Sequence, residues 1–75
     1  MFSKEIFSQR LIALRKQANI TQSELAIAVK VNRTSITLME RAERAASIEV
    51  LYALADFFDV SLDYLVGRSD NPARN

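Results

Sequence analysis

Residues 20–40 read ITQSELAIAVKVNRTSITLME, and this stretch contains the start signals of two helices separated by a very short connection. Thr21 and Glu24 have the spacing of a capping box, in which each side chain binds the backbone N–H group of the other residue. Asn32 is a favourable N-cap residue for a second helix, because its side-chain oxygen can accept a hydrogen bond from a free amide of the first turn. The stretch therefore predicts one helix that begins at residue 22 and another that begins at residue 33.

The connection between these two helices, residues 30–32, is too short for a long antiparallel hairpin. The chain must turn sharply there, so the second helix crosses the first at a steep angle. A close crossing needs a small residue at the contact, and Ala26 supplies it. Apolar side chains on both sides of the turn can fill the angle between the helices: Val29, Val31, Ile36 and Met39. This order of residues is the helix-turn-helix pattern.

The rest of the chain also has helical periodicity, and Ser47 and Ser61 are N-cap candidates for later helices. One glycine and one proline in 75 residues disfavour a hairpin-rich β fold. We predict an all-α, compact five-helix bundle in residues 1–67 and a flexible polar tail in residues 68–75. The predicted helices cover residues 4–18, 22–29, 33–41, 48–58 and 62–66.

The composition excludes several kinds of site. The chain has no histidine and no cysteine, so it lacks the commonest general base, the commonest zinc ligands and any disulfide. No pair of carboxylates has the spacing of a catalytic cleft, and we expect no enzymatic activity, no cofactor and no metal. No apolar run approaches the ~20 residues of a membrane span, and the first residues do not resemble a signal peptide. We therefore expect a cytoplasmic protein without a membrane partner.

The charges are distributed unevenly along the chain. Residues 1–44 contain eight basic and four acidic side chains, a net charge of +4, whereas residues 45–75 contain two basic and five acidic ones, a net charge of −3. This asymmetry indicates that a polyanion binds to one face of the molecule only. Ordinary scatter of charge is the alternative.

The helix predicted over residues 33–41 has an outward face without acidic residues if Ile36 and Met39 face the core. Arg33 can donate two hydrogen bonds to the N7 and O6 atoms of guanine, and Leu38 suits the methyl group of thymine. A cation at a helix N-terminus is unfavourable because that end of the helix dipole is positive. The position of Arg33 therefore favours the interpretation that a polyanion binds nearby. The alternatives are a solvated Arg33 and a loosely covered Leu38. The predicted base-reading residues are Arg33, Thr34, Thr37 and Leu38, and the alternative for the hydroxyls of Thr34 and Thr37 is a hydrogen bond to phosphate.

Residues 10–67 resemble the phage-repressor and Cro type of helix-turn-helix protein, the Xre-like family. The resemblance is carried by RLIALR at residues 10–15, ITQSELA at residues 20–26 and VSLDYLVG at residues 60–67. It implies a five-helix, lambda-repressor-like DNA-binding domain whose third helix enters the major groove of double-stranded DNA. Such domains usually bind a near-palindromic operator as a dimer.

The resemblance also implies roles for individual residues. Gln22 matches the family glutamine that contacts a backbone phosphate, and the free amides of its helix end favour such a contact. Arg15 and Glu40 match a largely buried ion pair that ties the first helix to the third. Other residues near the helix ends complete the predicted phosphate contacts, with ordinary surface charge as the alternative for the two arginines: Asn32, Ser35, Arg41 and Arg44.

The chain departs from the family at positions where glycine is usual. Asn19, Lys30, Ala42 and Asp59 stand there instead. Asn and Asp tolerate a left-handed backbone, whereas Lys30 and Ala42 would each lose about 1–2 kcal/mol if that geometry is kept.

The expected function is a transcriptional regulator, with repression favoured. The sequence does not separate a phage-type repressor from a restriction–modification controller protein or an antitoxin of the same fold. A different class, a protein-interaction module that keeps the fold without binding DNA, also stays open. A homodimer is expected, with a regulatory protein as a further partner. The apolar residues that we predict to be exposed at its contact are Phe57, Tyr64 and Val66.

Overall fold

The computed structural model describes residues 2–74, so Met1 and Asn75, the outer ends of the predicted domain and tail, lie outside it. The described residues form five α-helices and no strand. None of these helices is both long and apolar enough to cross a lipid bilayer. The all-α fold class is confirmed, and the predicted bounds agree to within one residue. The helices are α1 (Lys4–Gln17), α2 (Gln22–Val29), α3 (Arg33–Glu40), α4 (Ile48–Phe58) and α5 (Leu62–Val66).

Each helix begins at a capping side chain that accepts a hydrogen bond from a backbone amide three residues later. The complete capping box forms at Thr21 and Glu24, with both reciprocal hydrogen bonds present. These interactions satisfy amides that have no partner within the helix. Four of the five caps were predicted, and the cap of α1 was not. The capping residues are Ser3, Thr21, Asn32, Ser47 and Ser61.

All four positions where the family usually has glycine adopt the left-handed backbone conformation. The φ angles are 57° at Asn19, 62° at Lys30, 60° at Ala42 and 56° at Asp59. Lys30 and Asp59 are the C-cap residues of α2 and α4, so the left-handed geometry ends both helices. The turn between α2 and α3 is therefore formed without glycine, at a cost of about 1–2 kcal/mol at Lys30.

The core is shared by all five helices. Its fully buried side chains each contribute about 1.5–3 kcal/mol relative to full exposure. Ala26 and Val29 of α2 and Met39 of α3 belong to the same buried cluster, which holds the two helices together at their crossing. The largest fully buried side chains are Phe7, Leu11, Leu25, Ile36, Leu54 and Leu65.

The segment after α5 has no regular structure but makes specific contacts with the helices. The Arg10 guanidinium of α1 donates hydrogen bonds to the carbonyl oxygens of Tyr64 and Ser69 and forms an ion pair with Asp70. Arg74 forms an ion pair with a carboxylate of α4. The flexibility of this tail stays a prediction.

Gly67 ends α5 and is the single glycine of the chain. Its φ angle is +88°, and a Cβ atom built there would lie 2.5 Å from the Cγ2 atom of Ile6. The left-handed backbone favours glycine at this position, and the close approach of α1 requires a residue without a side chain.

Candidate nucleic-acid interface

Helix α3 has one buried and one accessible face. Ile36 and Met39 are 0% and 2% exposed and anchor the helix to the core. On the other face, Arg33 and Thr34 are exposed, whereas Thr37 and Leu38 are half-buried. Leu38 is therefore less accessible to solvent than the sequence predicts. The structure therefore brings the four predicted base-reading side chains onto the accessible side of one helix.

An ion pair between Arg15 of α1 and Glu40 of α3 fixes the last turn of α3. The Nε and Nη2 atoms of Arg15 lie 2.6 and 3.0 Å from the two carboxylate oxygens of Glu40. The side chains are only 15% and 6% exposed. The hydrogen bond to Glu40 raises the pKa of Arg15, although partial burial opposes the shift. A paired, bidentate geometry of this kind is both strong and directional.

The ion pair also holds the start of α2. Arg15 donates a third hydrogen bond to the carbonyl oxygen of Ile20, at 2.9 Å, in the loop before α2. The side-chain Nε2 atom of Gln22 donates to Glu40 Oε1, also at 2.9 Å. One carboxylate thus connects α1, α2 and α3, and it sets the position of α3 relative to the N-terminus of α2.

Gln22 and Thr37 are hydrogen-bonded to each other. The Thr37 hydroxyl lies 2.9 Å from Gln22 Oε1 and donates to it, and the carbonyl oxygen of Arg33 is a second acceptor at 3.1 Å. The sequence predicts a phosphate contact for Gln22 and a base contact for Thr37. It contains no signal that the two side chains are hydrogen-bonded to each other. The two residues are fifteen positions apart on different helices.

Three of the predicted phosphate-contacting residues, Asn32, Ser35 and Arg44, are also brought together. Asn32 caps α3 through its Oδ1 atom, which accepts from the Ser35 amide at 2.8 Å. The Ser35 hydroxyl accepts a hydrogen bond of 3.2 Å from Arg44, so the loop after α3 returns toward the start of that helix. Arg41 instead forms an exposed ion pair with Glu43, at 2.8 Å. A phosphate at Arg41 must therefore compete with the Glu43 carboxylate.

Arg33 differs from the other arginines near α3. Among residues 2–74, its guanidinium makes no ion pair and no hydrogen bond. The first turn of α3 also contains no acidic residue. All the donors of this side chain therefore remain available for a ligand, and its charge adds to the positive end of the helix dipole.

The predicted dimer-contact residues differ in accessibility. Phe57 is 44% exposed and packs edge-on against Phe58. Tyr64 and Val66 are half-buried. The prediction that these two side chains are exposed is therefore wrong. The reason is local packing, because the Arg10 guanidinium lies 4.1 Å from the centre of the Tyr64 ring and Val66 contacts the core. Their part in a dimer stays a prediction.

The described residues contain no group of three or more acidic side chains that could hold a metal ion. Arg10 has a role that its sequence pattern did not predict. Its guanidinium binds the C-terminal segment and lies over the ring of Tyr64. Its partners lie 54–60 positions away, so no local pattern could have indicated them.

Comparison with known proteins gives a consistent result. The sequence profile of the helix-turn-helix family matches residues 11–65. The chain is 33% identical over 67 residues to the uncharacterized HTH-type transcriptional regulator YobD of Bacillus subtilis, covering 89% of this chain and 60% of YobD. It is 35% identical over 60 residues to the cryptic phage CTXphi transcriptional repressor RstR of Vibrio cholerae, covering 80% of this chain and 54% of RstR.

A solved structure with the same fold is the P22 c2 repressor protein in complex with the synthetic operator 9T. It matches with a TM-score of 0.81 and 33% identity, over 85% of this chain and 97% of that protein chain. The present chain therefore spans less than two thirds of the length of the two curated relatives, but nearly all of this solved repressor chain.

Proposed function

The chain belongs to the helix-turn-helix family, and on that premise we propose that it is a sequence-specific transcriptional regulator that places α3 in the major groove of double-stranded DNA. Its relatives include transcriptional regulators and a phage repressor, and the structurally similar P22 c2 repressor was solved on an operator. Repression is the mode that we propose, because it is the mode of RstR and of the P22 c2 repressor. We extend the proposal to a homodimer on a near-palindromic operator, with half-sites about one helical turn apart.

The observation that carries the proposal is the accessible face of α3. An α-helix fits the major groove of B-form DNA, where its outer side chains reach the edges of the bases. Here the inner face is fixed by buried Ile36 and Met39, whereas Arg33 is exposed and has no ionic partner within residues 2–74. The base-reading set of the proposal is Arg33, Thr34, Thr37 and Leu38.

The phosphate contacts of the proposal surround this face. Gln22 begins α2, Asn32 and Ser35 lie at the start of α3, and Arg41 and Arg44 follow its end. Phosphate oxygens accept hydrogen bonds from free backbone amides at helix N-termini and from guanidinium groups. Contacts of this kind fix the register of the helix on the duplex, while the side chains in the groove select the sequence.

The proposal is tested by selecting binding sites from a pool of random duplexes and then measuring affinity as a function of salt. We expect one recurrent sequence and an affinity that falls steeply with salt, because phosphate contacts release counterions. Sedimentation with and without the selected duplex tests the dimer. A flat salt dependence, or no enrichment from the pool, would instead favour the protein-interaction module.

Substitutions separate base reading from anchoring. Arg33→Ala should cost about 1–3 kcal/mol at one base pair and relax the preference there, whereas Arg41→Ala should weaken all duplexes alike. Arg68→Ala is a matched control, because it removes an exposed positive charge that follows α5 in the chain and belongs neither to α3 nor to the loop after it. Uniform weakening by Arg33→Ala, or loss of preference in Arg41→Ala, would show that the two roles are exchanged.

A further inference from the structure

The hydrogen bonds around Gln22 leave its amide only one favourable orientation. The Glu40 carboxylate accepts from Gln22 Nε2 while it also binds the Arg15 guanidinium. A reversed amide would place the Gln22 oxygen against a carboxylate oxygen, and neither atom can donate. Glu40 therefore holds the nitrogen of Gln22 toward itself and the oxygen of Gln22 toward Thr37.

This orientation makes Gln22 Oε1 one of two acceptors for the single proton of the Thr37 hydroxyl. The two acceptors near that hydroxyl are Gln22 Oε1 at 2.9 Å and the carbonyl oxygen of Arg33 at 3.1 Å. A threonine hydroxyl has one proton to donate and two lone pairs that accept. Because both acceptors belong to the protein, the proton is used internally whichever of them it contacts. The hydroxyl can then offer only lone pairs to a molecule that approaches α3 from outside.

We infer that Thr37 reads DNA solely as a hydrogen-bond acceptor, so that its partner is the exocyclic amino group of an adenine or a cytosine in the major groove. This inference rests on the proposed function and adds the chemistry of one contact. Among the major-groove groups of the bases, only adenine N6 and cytosine N4 donate. Guanine N7 and O6, thymine O4 and the phosphate oxygens only accept, and the Thr37 hydroxyl has no proton left for them.

Glu40 is the positioning residue of this contact, although it is nearly buried and lies behind Gln22. Its carboxylate orients the amide, and the amide oxygen is the nearer of the two acceptors of the hydroxyl proton. The second N–H bond of Gln22 Nε2 is not needed by Glu40 and stays available to a phosphate oxygen. The same network thus presents a donor toward the DNA backbone and an acceptor toward a base.

The test combines protein variants with base analogues in the selected duplex. Thr37→Val removes the hydroxyl and keeps the shape of the side chain, and Thr37→Ser is the matched control that keeps the hydroxyl. In the duplex, purine replaces the contacted adenine, or 2-pyrimidinone the contacted cytosine, which deletes only the amino group. A 7-deaza purine at the contacted adenine, or at the guanine paired with the contacted cytosine, deletes an acceptor instead.

We expect deletion of the amino group at one base to weaken wild-type and Thr37→Ser binding about fivefold, as for one hydrogen bond. The Thr37→Val variant should bind the normal and the amino-deleted duplex equally well. The 7-deaza analogue should affect wild type and Thr37→Val by the same factor. Glu40→Gln, checked for a cooperative melting transition, should relax the preference at this base and keep the preference at the base read by Arg33.

Two results would overturn the inference while leaving the proposed function intact. The first is that Thr37→Val binds the selected duplex with the same affinity and the same base preference as wild type. The second is a Thr37 contribution that disappears with the 7-deaza analogue rather than with the amino deletion. Failure to select any duplex would overturn the proposed function together with this inference. If Glu40→Gln fails to fold, the Thr37 variants and the analogues decide the question alone.

Discussion

Substitution of Arg15 by methionine should strongly destabilise the fold. It leaves the Glu40 carboxylate, only 6% exposed, with Gln22 Nε2 as its remaining side-chain donor among the described residues. Breaking a buried ion pair in this way costs about 3–5 kcal/mol. A domain of this length has a free energy of unfolding of about 4–11 kcal/mol, at 0.05–0.15 kcal/mol per residue. The variant should therefore lose a large part of its stability.

Substitution of the partner, Glu40→Met, should cost less stability than Arg15→Met. The double variant should cost less stability than either single variant. In Glu40→Met the Arg15 guanidinium keeps its hydrogen bond to the Ile20 carbonyl and, at 15% exposure, retains access to water. We expect a cost of about 1–3 kcal/mol, as for a charged group that loses a partner. The double variant removes both charges and fills their space with apolar atoms, so it should lie within about 1 kcal/mol of wild type.

The assay is urea denaturation followed by circular dichroism at 222 nm, which gives the free energy of unfolding of all four proteins by linear extrapolation. The matched control is Arg74→Met, which removes an ion pair with the exposed carboxylate of Asp56 and should barely move the midpoint. Additive losses in the double variant would refute the reasoning. So would a loss below about 1 kcal/mol in Arg15→Met, because the carboxylate would then not need its partner.

The remaining predictions concern the backbone and the helix ends, and thermal or urea unfolding measures each of them. Lys30→Gly and Ala42→Gly should each raise the free energy of unfolding by about 0.5–1 kcal/mol, because both residues have left-handed φ angles. Asn19→Gly is their control and should change little, since Asn tolerates this conformation; equal gains at all three positions would contradict the explanation. Gly67→Ala should lose about 2 kcal/mol or more, because its new Cβ meets Ile6 as well as an unfavourable backbone. A neutral result would mean that α1 can move away. Thr21→Ala should lose about 1 kcal/mol with the capping box, and no loss would show that water replaces the cap.

The helix starts could be predicted because their determinants are local. A cap such as Thr21 or Asn32 acts on an amide only three residues away, so the sequence contains the whole interaction. The short link between α2 and α3 is local as well, and it fixes a sharp turn whatever the rest of the chain does. Ser3 caps α1 by the same mechanism, but it was not predicted although the signal was present.

The contacts that organise the candidate interface have a different origin. Arg44 and Ser35 meet because the loop after α3 turns back, and Arg10 reaches the C-terminal segment across the bundle. Such pairings depend on the packing of whole helices, and spacing along the chain does not encode them. The resemblance to a known family supplied the pairing of Arg15 with Glu40, which composition and periodicity alone do not indicate.

The network around Glu40 changes how variants of this interface should be interpreted. A scheme that divides residues into base readers and phosphate anchors treats each side chain as independent. Gln22 and Thr37 fall on opposite sides of that division, but they share a hydrogen bond, and Glu40 orients both. Residues in one hydrogen-bond network have coupled, non-additive effects. Loss of DNA binding in a Glu40 variant therefore does not place Glu40 on the DNA, because a buried carboxylate can act on the groove through the two side chains that it positions.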